Sequence, residues 1–164
     1  MYIIILNNSK FYQIKDFYPL LKFPEKYKGT RPLTLRSSWE IKFVQNYLDI
    51  NQSILEWTSE TVIVKYLSPI DGKYHRYFID FSLKALTKDG KTKNIWIEIK
   101  PYSQTQLPKE PKRKTKNYLE SIKTYMVNQA KWETSKQICE QYKLQGKDTE
   151  FVVITEKDCE WFLK

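Results

Sequence analysis

The chain has 164 residues, 41% of them apolar and 15% aromatic, with a net charge of +9. That length fits one domain with one sizeable core, and the apolar share is ample for a folded protein rather than a disordered one. The positive balance points to a polyanionic partner, DNA or RNA first and a membrane surface second.

In chain order, the apolar start at residues 2–6 is too short for a signal peptide or a membrane span, and no basic region precedes it. It reads as an edge strand or a packing arm. Prolines at 19, 24 and 32 and Gly29 punctuate a lysine-rich, aromatic segment. Residues 1–30 are therefore expected to form an extended N-terminal arm with one short helix, and residues 31–164 a single domain.

Residues 36–51 carry a strong helix signature. Ser37-Ser38-Trp39-Glu40 fits a capping box, with Ser37 as N-cap and Glu40 at the third helical position. Trp39, Phe43, Val44, Tyr47 and Leu48 recur at helical spacing and predict the buried face. Glu40 falls within that stripe. Two readings stay open for it: a capping carboxylate that reaches back to the Ser37 amide, or an acid that points into a polar site beneath the helix.

Residues 54–57 and 61–67 read as strands, the second rich in β-branched residues. Pro69-Ile70-Asp71-Gly72 is a turn leading into residues 74–86, so an antiparallel meander of three or four strands should end at Pro101. His75 is placed with Arg76 on a basic strand face.

Two neighbouring stretches carry the chemistry. YFIDFSL at 77–83 holds Asp80, and NIWIEIKP at 94–101 holds Glu98 and Lys100. Side chains alternate faces along a strand, so Glu98 and Lys100 share one face and Ile95, Ile97 and Ile99 the other. A two-residue Asp-Gly turn would set Asp80 against Ile99 and mix the faces. A three-residue loop, Lys88-Asp89-Gly90 with Gly90 left-handed, pairs Ile79 with Ile99, Phe81 with Ile97, Leu83 with Ile95, and Asp80 with Glu98. Opposed carboxylates have Cβ atoms about 4.5–5.5 Å apart and repel by roughly 3–4 kcal/mol at an effective dielectric near 20. Lys100 relieves part of that repulsion and a bound Mg²⁺ would relieve more, since magnesium commonly takes one or two carboxylates plus water and phosphate. Taken alone, the short motif also describes a solvated charged face on an edge hairpin.

Residues 101–116 are rich in proline and lysine, and a mobile basic loop there, ending in Lys112, Arg113, Lys114 and Lys116, suits phosphate contact. Residues 117–143 are helical, as one element or as two with Asn128 capping the second. Tyr118, Leu119, Ile122, Tyr125 and Met126 mark one apolar stripe, and Ile138, Cys139 and Tyr142 another. FVVIT at 151–155 predicts a short apolar strand for the sheet interior, reached by a helical crossover, and Thr155 should cap a terminal helix over 155–163. Cys139 and Cys159 form no metal or redox motif and read as free thiols of a reducing cytoplasm. The fold class is therefore α/β, a mixed sheet flanked by helices.

The order helix-Glu40, strand-Asp80, hairpin, strand-Glu98-x-Lys100, helices, strand resembles the PD-(D/E)XK nucleases, whose restriction endonuclease-like core has α-β-β-β-α-β order. Ile79-Asp80 stands where the motif name has Pro-Asp. The runs Leu35-Arg-Ser-Ser-Trp-Glu40, Trp57-x-Ser-Glu60, Arg76-Tyr-Phe-x-Asp80, Ile97-Glu-Ile-Lys-Pro101 and Asn128-x-x-Lys-Trp132 are similar to those of tailed-phage head completion nucleases, over about residues 27–156. Transposon end-cleaving endonucleases share part of the pattern.

The resemblance implies that Asp80 and Glu98 are metal ligands, with the Ile99 carbonyl a further one. It implies that Lys100 orients or activates the attacking water, and that Glu40 is another acidic member of the catalytic set. The implied cofactor is Mg²⁺, with Mn²⁺ able to substitute. The implied activity is a DNA endonuclease of phage head completion, acting in the host cytoplasm or with the virion. Portal or head proteins are then further partners, with no membrane. Arg36, Arg76 and the Lys112, Arg113, Lys114, Lys116 cluster are the candidate DNA contacts. Two alternatives stand beside this expectation: a structural, non-catalytic head-completion or DNA-binding protein on a nuclease scaffold, and a transposon end-cleaving subunit.

Overall fold

A computed structural model describes residues 15–159. The strand or arm expected at residues 2–6, and the end of the terminal helix expected beyond residue 159, lie outside the described residues. Six strands are described: β1 (Ile54–Ser59), β2 (Ile63–Leu67), β3 (Tyr74–Phe78), β4 (Phe81–Leu86), β5 (Thr92–Ile99) and β6 (Thr149–Ile154). The helices are α1 (Ser38–Phe43), which runs on into a π turn at Val44–Leu48, the short α2 (Tyr102–Thr105), and the long α3 (Lys116–Leu144).

The strands do not form the expected meander. The main sheet has the order β1-β4-β5-β6, while β2 and β3 pair only with each other. The reason lies at the neck where this hairpin leaves the sheet. Glu60 adopts a left-handed backbone, φ 52°, which turns the chain out of β1. Two hydrogen bonds then tie the neck, Glu60 N–H to the Asp80 carbonyl (3.2 Å) and Ile79 N–H to the Val62 carbonyl (3.0 Å). The stretch 74–86 is thus two strands in two sheets, with Ile79 and Asp80 between them.

Where β4 and β5 do pair, the register is the expected one: Phe81 opposes Ile97 and Leu83 opposes Ile95. The loop is the three-residue Lys88-Asp89-Gly90, closed by Gly90 N–H to the Thr87 carbonyl (3.0 Å) and Thr87 N–H to the Lys91 carbonyl (2.8 Å). Gly90 has φ 79°, a conformation glycine adopts without steric cost. The ladder ends at Phe81, so Asp80 and Ile79 lie beyond it and do not pair with Glu98 and Ile99 as strand partners.

The main sheet is covered on both faces. One core holds Phe17, Tyr27, Phe43, Leu48, Trp57, Phe81, Ile97 and Ile99. Trp57 sits between Tyr27 (4.7 Å between ring centroids) and Phe81 (6.1 Å), and Phe43 lies 5.5 Å from Phe81. Each such side chain contributes about 1.5–3 kcal/mol on burial. Phe17, Leu21 and Tyr27 come from the segment read as an arm, and in the described residues they are core. The second core joins Trp96 of β5, Phe151 of β6 and Val64, Tyr66 and Tyr77 of the hairpin to Trp132 and Cys139 of α3.

Helix α3 is continuous. Asn128 caps nothing; it is buried within α3, and among the described residues neither its Nδ2 nor Trp132 Nε1 has a hydrogen-bond partner. The cap is Thr115, whose Oγ1 accepts from Tyr118 N–H (3.2 Å). Of the expected stripe, Tyr118, Ile122 and Tyr125 are half-buried while Leu119 and Met126 are exposed, as is Tyr47 of the π turn. Strand β6 runs parallel to β5, as a helical crossover requires, and among the described residues it lies at the edge of the sheet. His75 pairs with Asp71 (2.8 Å) on the side of the hairpin opposite to Arg76. Both cysteines are free thiols. Among the described residues no helix is long and apolar enough to cross a membrane.

Candidate active site

The end of the β4–β5 ladder sets the site. β5 runs two residues further than its pairing with β4, so the Ile99 N–H has no carbonyl from β4 to bond. The Asp80 carboxylate takes that place: its Oδ2 accepts from Ile99 N–H at 2.8 Å. One residue back, Glu98 is buried to 2% exposure. A buried carboxylate needs partners, and it has two. Lys100 Nζ lies 2.9 Å from Glu98 Oε1, and the Tyr77 hydroxyl donates to Oε2 at 2.6 Å. Asp80, Glu98 and Lys100 therefore converge on one end of the sheet.

The electrostatics bear this out. Burial pushes the Asp80 carboxyl well above the usual carboxylate range, and the Glu98 charge adds to the rise while Lys100 opposes it. Burial alone would lower the Lys100 ammonium, but Glu98 and Asp80 outweigh it and the net movement is upward. Tyr77 is held far above its ordinary value by burial and by the Glu98 charge, so it stays a hydrogen-bond donor.

Glu40 is a capping carboxylate, and it takes the Arg36 amide rather than that of Ser37. Its carboxylate reaches back over the start of α1, accepting from Arg36 N–H (2.8 Å) and Ser37 Oγ (2.8 Å), while Ser37 Oγ accepts from Glu40 N–H (3.1 Å). Its charge still acts on Asp80 and Lys100, as the weakest of the named influences on each. Glu40 thus stands at the rim of the site rather than at its centre.

The basic residues divide. Arg36 flanks Glu40 and forms an ion pair with Glu60 at the hairpin neck (2.9 Å). Arg76 faces outward from β3, opposite Lys65. Lys112, Arg113, Lys114 and Lys116 are exposed before and at the start of α3; Lys114 pairs with Glu110 (3.2 Å), and none of the four pairs with a site carboxylate.

Two residues join the site that pattern reading did not assign. Tyr77 opens the run YFIDFSL with no chemical role read from the sequence, and the hairpin's separate packing turns its hydroxyl onto Glu98. Lys131 of α3 lies over the rings of Tyr77 (5.2 Å) and Tyr66 (5.8 Å). Burial lowers its ammonium, partly offset by Glu98 and, more weakly, by Asp80. The run Asn128-x-x-Lys-Trp132 contained it, but nothing in helical spacing says that α3 crosses the end of β5.

Among the described residues no three His, Cys, Asp or Glu side chains close on one point. The donor set is two carboxylates with a lysine and a tyrosine between and around them. Asp80 and Glu98 are hard oxygen donors whose mutual repulsion a cation would relieve, and that chemistry fits a divalent ion completed by water and phosphate.

The family model described as TnsA-like endonuclease N terminal matches residues 51–156 of this sequence. The chain is also 38% identical over 120 residues to the head completion nuclease of Enterobacteria phage T4, an alignment that covers 70% of this chain and 77% of that one. No solved structure matches.

Proposed function

The chain belongs to the TnsA-like endonucleases, and from that premise we propose that it is a DNA endonuclease of phage head completion that hydrolyses phosphodiester bonds with Mg²⁺. The observation that carries the reading is the convergence of Asp80, Glu98 and Lys100 at the end of the β4–β5 ladder. The T4 relative's name supplies the setting of head completion. The host cytoplasm, contact with portal or head proteins, and Mn²⁺ as a substitute ion belong to the same proposal.

In this reading Asp80 and Glu98 would hold the ion, the Ile99 carbonyl would add an oxygen, and Glu40 would supply a further negative charge at the rim. When bound, the ion supplies Lewis-acid polarisation of the phosphate and a water of lowered pKa. The chain's own part is positioning and charge. Tyr77 and Lys100 fix both oxygens of Glu98. Lys100, 2.9 Å from Glu98 Oε1, sets a positive charge beside the phosphate and orients or activates the attacking water. Lys131 brings a second ammonium to the same end of the sheet. Arg36, Arg76 and the Lys112–Lys116 cluster hold the DNA backbone, and their contacts weaken as salt rises.

The test is nicking of supercoiled plasmid by the full chain with Mg²⁺, Mn²⁺ or EDTA, beside Glu98→Gln. Cutting is expected with either ion and none with EDTA, and Glu98→Gln should lose about 10²–10³-fold in rate while folding and DNA binding persist. Cutting by Glu98→Gln at the unaltered rate would sink the assignment. A purely structural role predicts no nicking under any condition.

A further inference from the structure

The β2–β3 hairpin has an inner face and an outer one. The inner side chains Val64, Tyr66 and Tyr77 are buried in the second core. The outer face carries three directly opposed pairs: Ile63 with Phe78, Lys65 with Arg76, and Leu67 with Tyr74. All six residues are exposed. Tyr74 is 75% exposed and Leu67 52%, which is far more than a half-buried strand pair keeps.

The central pair is unusual. Like charges opposite one another on a strand pair are destabilising, yet Lys65 and Arg76 face each other, and among the described residues neither has a carboxylate within ion-pair distance. Arg76 instead lies over the Phe78 ring, 4.9 Å from its centroid. A polyanion would relieve this pair. A duplex backbone alone, however, would find no use for the apolar pairs on either side of it. Rings and aliphatic side chains flanking paired cations are what unpaired nucleotides require: faces for the bases to stack on and charge for the phosphates. The pairs recur about every 6.6 Å along the strands, on the scale of one nucleotide in a stretched single strand.

The face is also continuous with the site. Phe78 lies two residues before Asp80 and lines an open cleft with Arg36 and Glu60, and Arg36 flanks Glu40.

We propose that the outer face of the β2–β3 hairpin is a docking platform for unpaired DNA nucleotides, so that the substrate carries a single-stranded segment beside the bond to be cut. The proposal rests on the reading of the chain as a DNA endonuclease. Tyr74, Phe78 and Leu67 receive bases, and Lys65 and Arg76 receive phosphates. A protein partner on this face is the competing occupant.

The experiment is fluorescence anisotropy of the full chain in EDTA with three labelled DNAs: a single strand, a blunt duplex, and the same duplex with a single-stranded overhang. Tyr74→Ala, Lys65→Gln and the wild type are compared, with a thermal melt of each. The wild type should bind the overhang at least fivefold tighter than the blunt duplex. Tyr74→Ala should lose at least fivefold on the single strand and the overhang, the lower end of what one stacked base is worth, with the blunt duplex and the melting temperature unchanged. Lys65→Gln should reduce the salt dependence of single-strand binding by about one counterion.

Equal losses on blunt and single-stranded DNA would overturn the proposal, as would no loss on any DNA, the result a protein occupant predicts. A fall of several degrees in the melting temperature of Tyr74→Ala would also overturn it, because the face would then be packed within the chain. Plasmid nicking separates the two readings. A wild type that nicks while Tyr74→Ala binds all three DNAs normally defeats only the platform, and a wild type that neither binds nor nicks DNA defeats the endonuclease reading.

Discussion

Asp80 serves the backbone and carries an awkward charge at once. Its raised pKa means that its contribution to stability is fully present below the ordinary carboxylate value near 3.8 and is lost as pH rises through its folded value. At neutral pH without a divalent ion, holding this carboxyl in its buried place therefore costs stability. Asp80→Asn keeps an oxygen to accept from Ile99 N–H and removes the charge. In EDTA at pH 7 the variant should melt about 2–4 °C above the wild type, the equivalent of about 1 kcal/mol, and added Mg²⁺ should raise the wild type only. A lower melting temperature for the variant in EDTA would show that the charge is not the liability. Tyr77 makes the converse case. Tyr77→Phe leaves a buried Glu98 oxygen without its donor, at a cost of about 1.5–3 kcal/mol for a bond to a charged group. Expressed in the reaction, that is about a tenfold to hundredfold slower cut. A nicking time course beside a thermal melt reads both, and an unaltered rate would separate Tyr77 from the chemistry.

Among the elements, the β4–β5 hairpin is the best instance of local pattern deciding structure. Three isoleucines on one face and Phe81 and Leu83 opposite leave one register that keeps apolar residues together, and that register fixes a three-residue loop with a left-handed Gly90. Gly90→Ala places a Cβ at φ 79°, so about 1 kcal/mol of stability should be lost, visible as a lower midpoint in urea with an unchanged slope. No change in the midpoint would mean that the loop relaxes freely. What alternation could not reveal is where a strand stops. Residues 77–83 read as one strand because Ile79, Phe81 and Leu83 alternate without a break; the break comes from the neck at Glu60 and Asp80, a contact across 20 residues of chain. Likewise Ser37 and Glu40 announced the start of α1, but which residues of α3 are covered depends on where the sheet and hairpin meet it, and periodicity carries no signal for that. The acid-lysine triplet was legible; Lys131 was not, because its place depends on how α3 crosses β5.

At the scale of the whole molecule, the sheet is buried from two sides by two cores, and phenols are built into both. Tyr27 in the first core is pushed up to about 12, by burial first and by Asp16 next. Tyr66 and Tyr77 in the second are raised chiefly by burial. The sign follows from proton counting. Between the unfolded value of 10 and the folded values, the unfolded chain has released protons that the folded chain keeps, so stability is full below pH 10 and falls above it. The slope should be about 1.4 kcal/mol per pH unit for each tyrosine still protonated. Urea titrations at stepwise alkaline pH should show it, and Tyr27→Phe should flatten it; a stability profile level from pH 10 to 12 would contradict the burial of these rings. One feature of the architecture reaches beyond any single measurement. The last amide of the central strand is finished by the Asp80 side chain instead of by another strand. A lineage that retired the chemistry by placing an apolar residue there would fray its own scaffold, and only an isosteric amide disarms the molecule while leaving it whole.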